Sequence, residues 1–182
     1  MRSARSGSEG RSNGTAPSRH RVSPIHRQTV SAMTNRVEDT MQTVAGYLDE
    51  CVGGVAVAAS GDLWFPFGST RVVVSGSMSH DQQSTFVHLR SHIADCVPVS
   101  DDLLRWLPTA SNDLAFGHVT LEFETGLPPL ATLQIRHTLL GEYLELDELR
   151  LALSLVAMEA DRLDDLVVQR FGGKRYADHE VA

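Results

Sequence analysis

The hydrophobic residues of the C-terminal third fall into two lines. Leu149, Leu153, Val156, Ala160, Leu163 and Val167 recur at alternating steps of four and three, the spacing that keeps side chains on the core-facing side of a helix. Leu151, Leu155 and Met158 form a second line on another face. Together they predict one long helix from Glu148, apolar nearly all round in its first half and amphipathic in its second. A helix with two apolar sides has two neighbours. One is the protein's own sheet. The other is another helix of the domain, a second subunit or a bound peptide. Phe171-Gly172-Gly173-Lys174-Arg175 ends the helix, because glycine takes the left-handed cap at little cost and the cations suit the negative end of the dipole. This Gly-Gly-Lys is no phosphate loop, since its glycines follow a helix rather than open one.

Upstream, Val37, Met41, Val44 and Leu48 predict a helix over 36–51, capped by Thr34 or Asn35 and ended by Gly53-Gly54. Residues 55–60 read as a short strand and Ser60-Gly61-Asp62 as a turn. Pro66 confines Leu63–Phe67 to an edge strand or a bulge, and Thr70–Met78 is a strand centred on three valines. In residues 84–97, Val87, Leu89 and Ile93 alternate with Phe86, His88, Arg90 and His92. That period of two predicts a strand rather than a helix. Ser100 caps a short helix carrying Leu103, Leu104, Trp106 and Leu107, which Pro108 should shorten or kink. A hairpin follows. Val119, Leu121 and Phe123 alternate with His118, Thr120, Glu122 and Glu124, and Leu133, Ile135 and His137 with Thr132, Gln134, Arg136 and Thr138. One face of such a sheet is covered and the other wet, and on the wet face Arg136 is placed to pair with Glu122. The expected fold is a two-layer α+β domain: an antiparallel sheet with an N-terminal, a short middle and a long C-terminal helix on one face.

At 182 residues the chain divides into a basic tail (1–32), an α+β domain (33–176) and a short C-terminal tail (177–182). Residues 1–32 hold six arginines against Glu9, a net charge of +5, whereas residues 33–182 hold ten basic and 22 acidic residues, a net charge of −12. The domain therefore repels nucleic acid, and only the tail attracts it. Rich in serine and poor in large apolar residues, the tail is expected to be disordered. It lacks the apolar run of a secretory signal, and Gly10, Gly14, Pro17 and Pro24 oppose the helix of a transit peptide. Met33, just before the first helical pattern, is the expected true start. No apolar stretch reaches the length of a membrane span, so a cytoplasmic protein without membrane contact is expected. Cys51 and Cys96 are then reduced, small and buried.

Several short runs resemble the YbjN family, related in fold to the type III secretion chaperones of the CesT type. They are Phe116-Gly117-His118, Arg136-His137-Thr138-Leu139-Leu140-Gly141, Leu146-Asp147-Glu148-Leu149, Ala160-Asp161 and Phe171-Gly172-Gly173. Val99-Ser100 and Leu103-Leu104 fall where the family begins its middle helix. The likeness covers roughly Leu63 to Tyr176, and Trp106-Leu107-Pro108 departs from it, standing where the family often carries Asn. The resemblance implies binding of a peptide or protein partner, often as a homodimer, without ATP. It brings no catalytic residue.

Two constellations could carry chemistry. Asp161 and Asp165 share a helix face, as paired carboxylates for a divalent cation would, but no second set faces them. His88 and His92 share a face at a spacing that zinc accepts, yet Leu89 stands where a metallopeptidase has its glutamate. A metal-dependent hydrolase built on either set is the alternative. His137, on the apolar side of its strand, reads as a hydrogen-bonded core histidine. No nucleophile elbow and no phosphate loop occurs. The primary expectation is a non-enzymatic, chaperone-like binding module with no cofactor and no metal. Its partner surface is expected to comprise Leu151, Leu155 and Met158, joined by Trp64, Phe65 and Phe67.

Overall fold

Strand alternation and helix spacing meet in a single sheet. The structure, a computed structural model, describes residues 24–125 and 129–179, with side chains from Arg36 onward. In chain order the elements are α1 (Pro24–Val52), β1 (Ala56–Val57), β2 (Leu63–Phe67), β3 (Thr70–Met78), β4 (Thr85–Pro98), α2 (Asp101–Asn112), β5 (His118–Phe123), β6 (Leu130–Leu140) and α3 (Leu146–Phe171). A single 3-10 turn, Tyr176–His179, follows. The six strands form one antiparallel sheet in the order β1-β2-β3-β4-β6-β5. All three helices pack on one side of it, as the element order led one to expect.

The buried residues of the strands are the alternate ones. Val72 and Val74 of β3, Val87, Leu89 and Ile93 of β4, and Leu133 and Ile135 of β6 are buried under the helices. Two apolar clusters result. One joins Val44 and Leu48 of α1 and Leu149, Leu153 and Ala157 of α3 to β2, β3 and β4. The other joins Leu103 and Ala110 of α2 and Val156, Ala160, Leu163 and Val167 of α3 to β4, β5 and β6. The long helix is thus the common wall of both halves of the core. In β4 the alternation slips at bulges between His92 and Ala94 and between Ala94 and Val97, so Ile93 and Ala94 both face inward.

Three local expectations change. α1 begins at Pro24, a residue suited to the first helical turn. Thr34 and Asn35 therefore lie inside the helix rather than capping it, and residues 24–32, assigned above to the tail, are helical. Residues 1–23, the rest of that tail, lie outside the described residues. Secondly, α2 runs through Pro108 to Asn112. Its lost helix bond is offset by packing, because Ala110 is buried and the Trp106 ring lies 5.4 Å from that of Phe171. Ser100 does cap α2, accepting from the Leu103 N–H at 3.2 Å. Thirdly, Cys51 and Cys96 are unpaired and half-buried, not enclosed.

After Gly172 caps α3, the chain turns back against β4. Asp95 and Lys174 exchange two backbone hydrogen bonds, at 2.8 and 2.9 Å. Gly173 makes that approach possible. Its φ is +98°, and a Cβ there would lie 2.7 Å from the Asp95 carbonyl oxygen and 2.6 Å from Val97 Cγ2.

Candidate functional site

The two lines of α3 have opposite fates. Leu149, Val156, Ala160 and Val167 are fully enclosed, and Leu153 and Leu163 are 4 % exposed. About a third of a turn or more around the helix, Leu151 is 55 % and Met158 59 % exposed, with Leu155 half-buried between them. Leu166, 41 % exposed, follows two turns beyond Met158. Among the described residues, neither α1 nor α2 covers this side of α3. Helices of soluble domains normally turn charged residues outward, so an outward line of Leu, Leu and Met is unusual.

The aromatic residues expected to join that line do not form one surface with it. Successive residues of a strand point to opposite faces, and β2 separates them accordingly. Phe65 is 5 % exposed within the core, so its inclusion in a partner surface is corrected: burial has already spent its apolar area. Trp64 stands on the far side of the sheet, with the Arg71 guanidinium 5.9 Å from its ring centre. Phe67, 36 % exposed, borders a small groove of about 110 Å³ with Cys51, Val52, Leu153 and Ala157, on a different flank of α3 from Leu151 and Met158. The spacing of β2 contained this separation, since residues 64 and 65 of any strand diverge.

The carboxylates of α3 are occupied structurally. Asp161 Oδ1 accepts the Ser69 backbone N–H and hydroxyl, both at 2.8 Å. Ser69 Oγ also contacts Asp164 Oδ2, while Asp165 holds Arg175 at 2.8 Å. Asp161 and Asp165 thus turn to different partners. They staple the β2–β3 turn and the C-terminal segment onto α3. Gly68 belongs to this staple, since a Cβ at its φ of +54° would collide with the Asp161 carboxylate. Asp164 was absent from the paired-carboxylate reading, and only its 1 % exposure marks it.

Burial pushes the Asp164 carboxyl up from its ordinary range, against the lowering effect of its Ser69 bond. A carboxyl raised in the folded state binds its proton more tightly there than in the unfolded chain. Ionisation then removes stability as pH rises through the folded-state value. Asp164→Asn, which cannot ionise, is expected to gain on the wild type as pH rises above about 4. Urea midpoints measured from acid to neutral pH check this, and a pH-independent difference between the two proteins contradicts it.

The two histidines proposed for zinc lie on the open sheet face and have other partners. His88 bonds Ser77 Oγ at 2.7 Å and Thr138 Oγ1 at 3.1 Å. His92 meets Arg71 at 3.3 Å and Asp95 at 3.3 Å. Among the described residues no third ligand joins them in a metal-binding group. Burial, and then the Glu124 charge, pushes the Cys96 thiol up, away from the thiolate a nucleophile needs. His137 packs its ring 5.0 Å from Phe116, an aromatic neighbour, and among the described residues it has no side-chain hydrogen bond. The expected Arg136–Glu122 pair is present at 3.5 Å.

Residue patterning did not reveal how the strands line up on that open face. Arg90 sits directly across from Arg136 in the β4–β6 register, and His118 across from Arg136 in the β5–β6 register. Each had been assigned to the wet side of its own strand, but strand pairing alone makes them neighbours.

The family profile described as T3SS (YopN, CesT) and YbjN peptide-binding chaperone 1, TY-Chap1, matches residues 38–179. The chain belongs to the TY-Chap1 family. The matched span takes in every strand, α2, α3 and the second half of α1, so the TY-Chap1 domain includes the sheet and, in whole or in part, the three helices that cover it. The resemblance to YbjN and CesT-type chaperones is thereby established, and with it a chaperone-like binding module. A chain in the crystal structure of the ExsC–ExsE complex is similar at 14% identity and a TM-score of 0.46, over 69% of this chain and 94% of that one. No curated protein sequence matches. Among the described residues, no helix is long and apolar enough to cross a membrane.

Proposed function

We propose that this TY-Chap1 domain is a non-enzymatic, cytoplasmic chaperone-like module that holds an apolar segment of a peptide or protein against Leu151, Leu155 and Met158 of α3. The observation carrying this reading is the outward exposure of Leu151 and Met158 on a helix whose opposite side is wholly enclosed. Burying one such side chain against a partner contributes about 1.5–3 kcal/mol, so three suffice for a moderate, reversible affinity. Family membership supports the peptide-binding class, and the structural engagement of Asp161, Asp165, His88 and His92 argues against the hydrolase alternative.

Leu151→Asp and Met158→Asp are expected to weaken binding of a fluorescent amphipathic peptide by tenfold or more each, roughly 1.4 kcal/mol. Urea stability should stay within about 0.5 kcal/mol of wild type, because both side chains face solvent in the free protein. Unchanged anisotropy titrations in both variants sink the assignment of this surface. Sedimentation supplies the competing result. If the wild type runs at twice the chain mass and Leu151→Asp restores the single mass, the stripe is a homodimer contact instead.

A further inference from the structure

Three of the ten basic residues in segment 33–182 share the sheet face opposite the helices: Arg71 on β3, Arg90 on β4 and Arg136 on β6. Like charges directly opposite across two strands disfavour the pairing, yet Arg90 and Arg136 occupy such positions at the centre of the sheet. Their acidic partners reach in from the margins of the sheet and line the cleft beside Arg71 and Arg90. Asp62 reaches Arg90 at 3.0 Å from the loop before β2, and Glu122 reaches Arg136 at 3.5 Å from the edge strand β5. The Nε atoms of all three arginines are buried and have no hydrogen-bond partner among the described residues. A buried donor in that state is costly, and costlier when charged.

The two guanidiniums open into a shallow cleft of about 420 Å³ lined by Ser75, His88, Arg90, His118, Arg136 and Thr138. Arg90 is shared with a second cleft of about 380 Å³ that leads to Arg71 and Trp64. Burial, with Arg90 and Arg136 adding to it, holds His88 below the ordinary imidazole range. His88 is therefore a neutral hydrogen-bonding wall, and the positive charge of the cleft belongs to the arginines.

We propose that this open sheet face binds an acidic peptide segment, with a carboxylate seated between Arg90 and Arg136. The proposal rests on the peptide-binding reading above but assigns a second surface, on the other side of the sheet from α3. Charge complementarity selects the occupant, because guanidinium forks match carboxylates bidentately. Shape selects an extended chain. From β3 to β5 the face crosses three strand spacings, about 14 Å, which an extended peptide covers with roughly four residues. Acids at alternate positions of such a peptide point the same way, so one extended segment can turn more than one carboxylate to this face.

The test uses the full chain and a fluorescent Ser-Glu-Ser-Glu-Ser peptide beside its Ser-Gln-Ser-Gln-Ser analogue. The acidic peptide is expected to bind at least tenfold more tightly than the neutral one, with an affinity that falls as salt rises. Arg90→Gln combined with Arg136→Gln should lose that advantage, while Arg105→Gln, on exposed α2, should keep it. The amphipathic peptide should bind the double variant normally, and Leu151→Asp should bind the acidic peptide normally, so the two surfaces fail independently. Equal binding of the acidic and neutral peptides by the wild type overturns the proposal without recourse to any variant. So does a double variant that folds and still prefers the acidic peptide. Displacement of the acidic peptide by equimolar inorganic phosphate also overturns it, by making the cleft a site for a free oxyanion.

Discussion

Leu149→Ala is expected to lower the unfolding free energy by about 2–5 kcal/mol, whereas Leu151→Ala should change it by no more than about 0.5 kcal/mol. The two leucines lie two residues apart on the same helix. Leu149 is fully enclosed in the apolar cluster that α3 shares with α1 and the sheet, and Leu151 is 55 % exposed. Removing the Leu149 side chain leaves a cavity in a core whose walls are sheet and helix, with little room to collapse. At Leu151 more than half of the side chain still faces water, so little burial is lost on truncation. Urea unfolding of both variants measures the contrast. A loss at Leu151 as large as at Leu149 would show that the free protein covers its own stripe, and the partner surface on α3 would be abandoned.

Gly173→Ala is expected to cost about 1–3 kcal/mol, the range for a residue held in a sparsely populated backbone region. An alanine at φ +98° would be strained before any contact is considered, and its Cβ would press on the Asp95 carbonyl and Val97. Backbone cannot swing aside as a flexible side chain does. The chain should relieve the clash by releasing Lys174 from its two bonds to Asp95, which frees Arg175 from Asp165. Limited trypsin digestion should then cut at Lys174 and Arg175 well before the domain core, and earlier than in the wild type. A variant as resistant as the wild type would contradict this account of the glycine.

Much of the fold was legible because its elements obey simple periods. The steps of four and three in α3 identified six of its buried residues, and Ala152, Ala157 and Asp164 widen that stripe. The period of two in β4 separated Val87, Leu89 and Ile93 from His88, Arg90 and His92 although the segment also admitted a helical reading. Both cases work because one face of each element is buried, and burial imposes the period of the backbone on the residues. Where burial is weak the periods misled. Phe123 continues the apolar face of β5, yet it is 63 % exposed at the end of the edge strand. Pro108 did not cut α2 short, because packing of Trp106 and Ala110 carried the helix past it to Asn112.

The candidate partner surface was legible in part. Leu151 and Met158 stood out as apolar residues beyond what one packed face requires. Adding Phe65 to them neglected the strand alternation that sends it inward. The carboxylates and histidines suggested chemistry because sequence shows residue types without their partners. Ser69, far away in the chain, accounts for Asp161 and Asp164; Ser77 and Thr138 account for His88.

By itself, then, the order of apolar and polar residues determined which segments are helices or strands, which side of each is buried, and that α3 carries more apolar surface than its own sheet consumes. These are local properties, set by a backbone period and a solvent. Only the tertiary structure decided which polar residues become neighbours. The facing of Arg90 and Arg136 and the stapling of Ser69 to Asp161 and Asp164 depend on strand register and turn placement. Those follow from the simultaneous packing of the sheet against three helices, with α3 on its central strands β3, β4 and β6, which no single segment encodes.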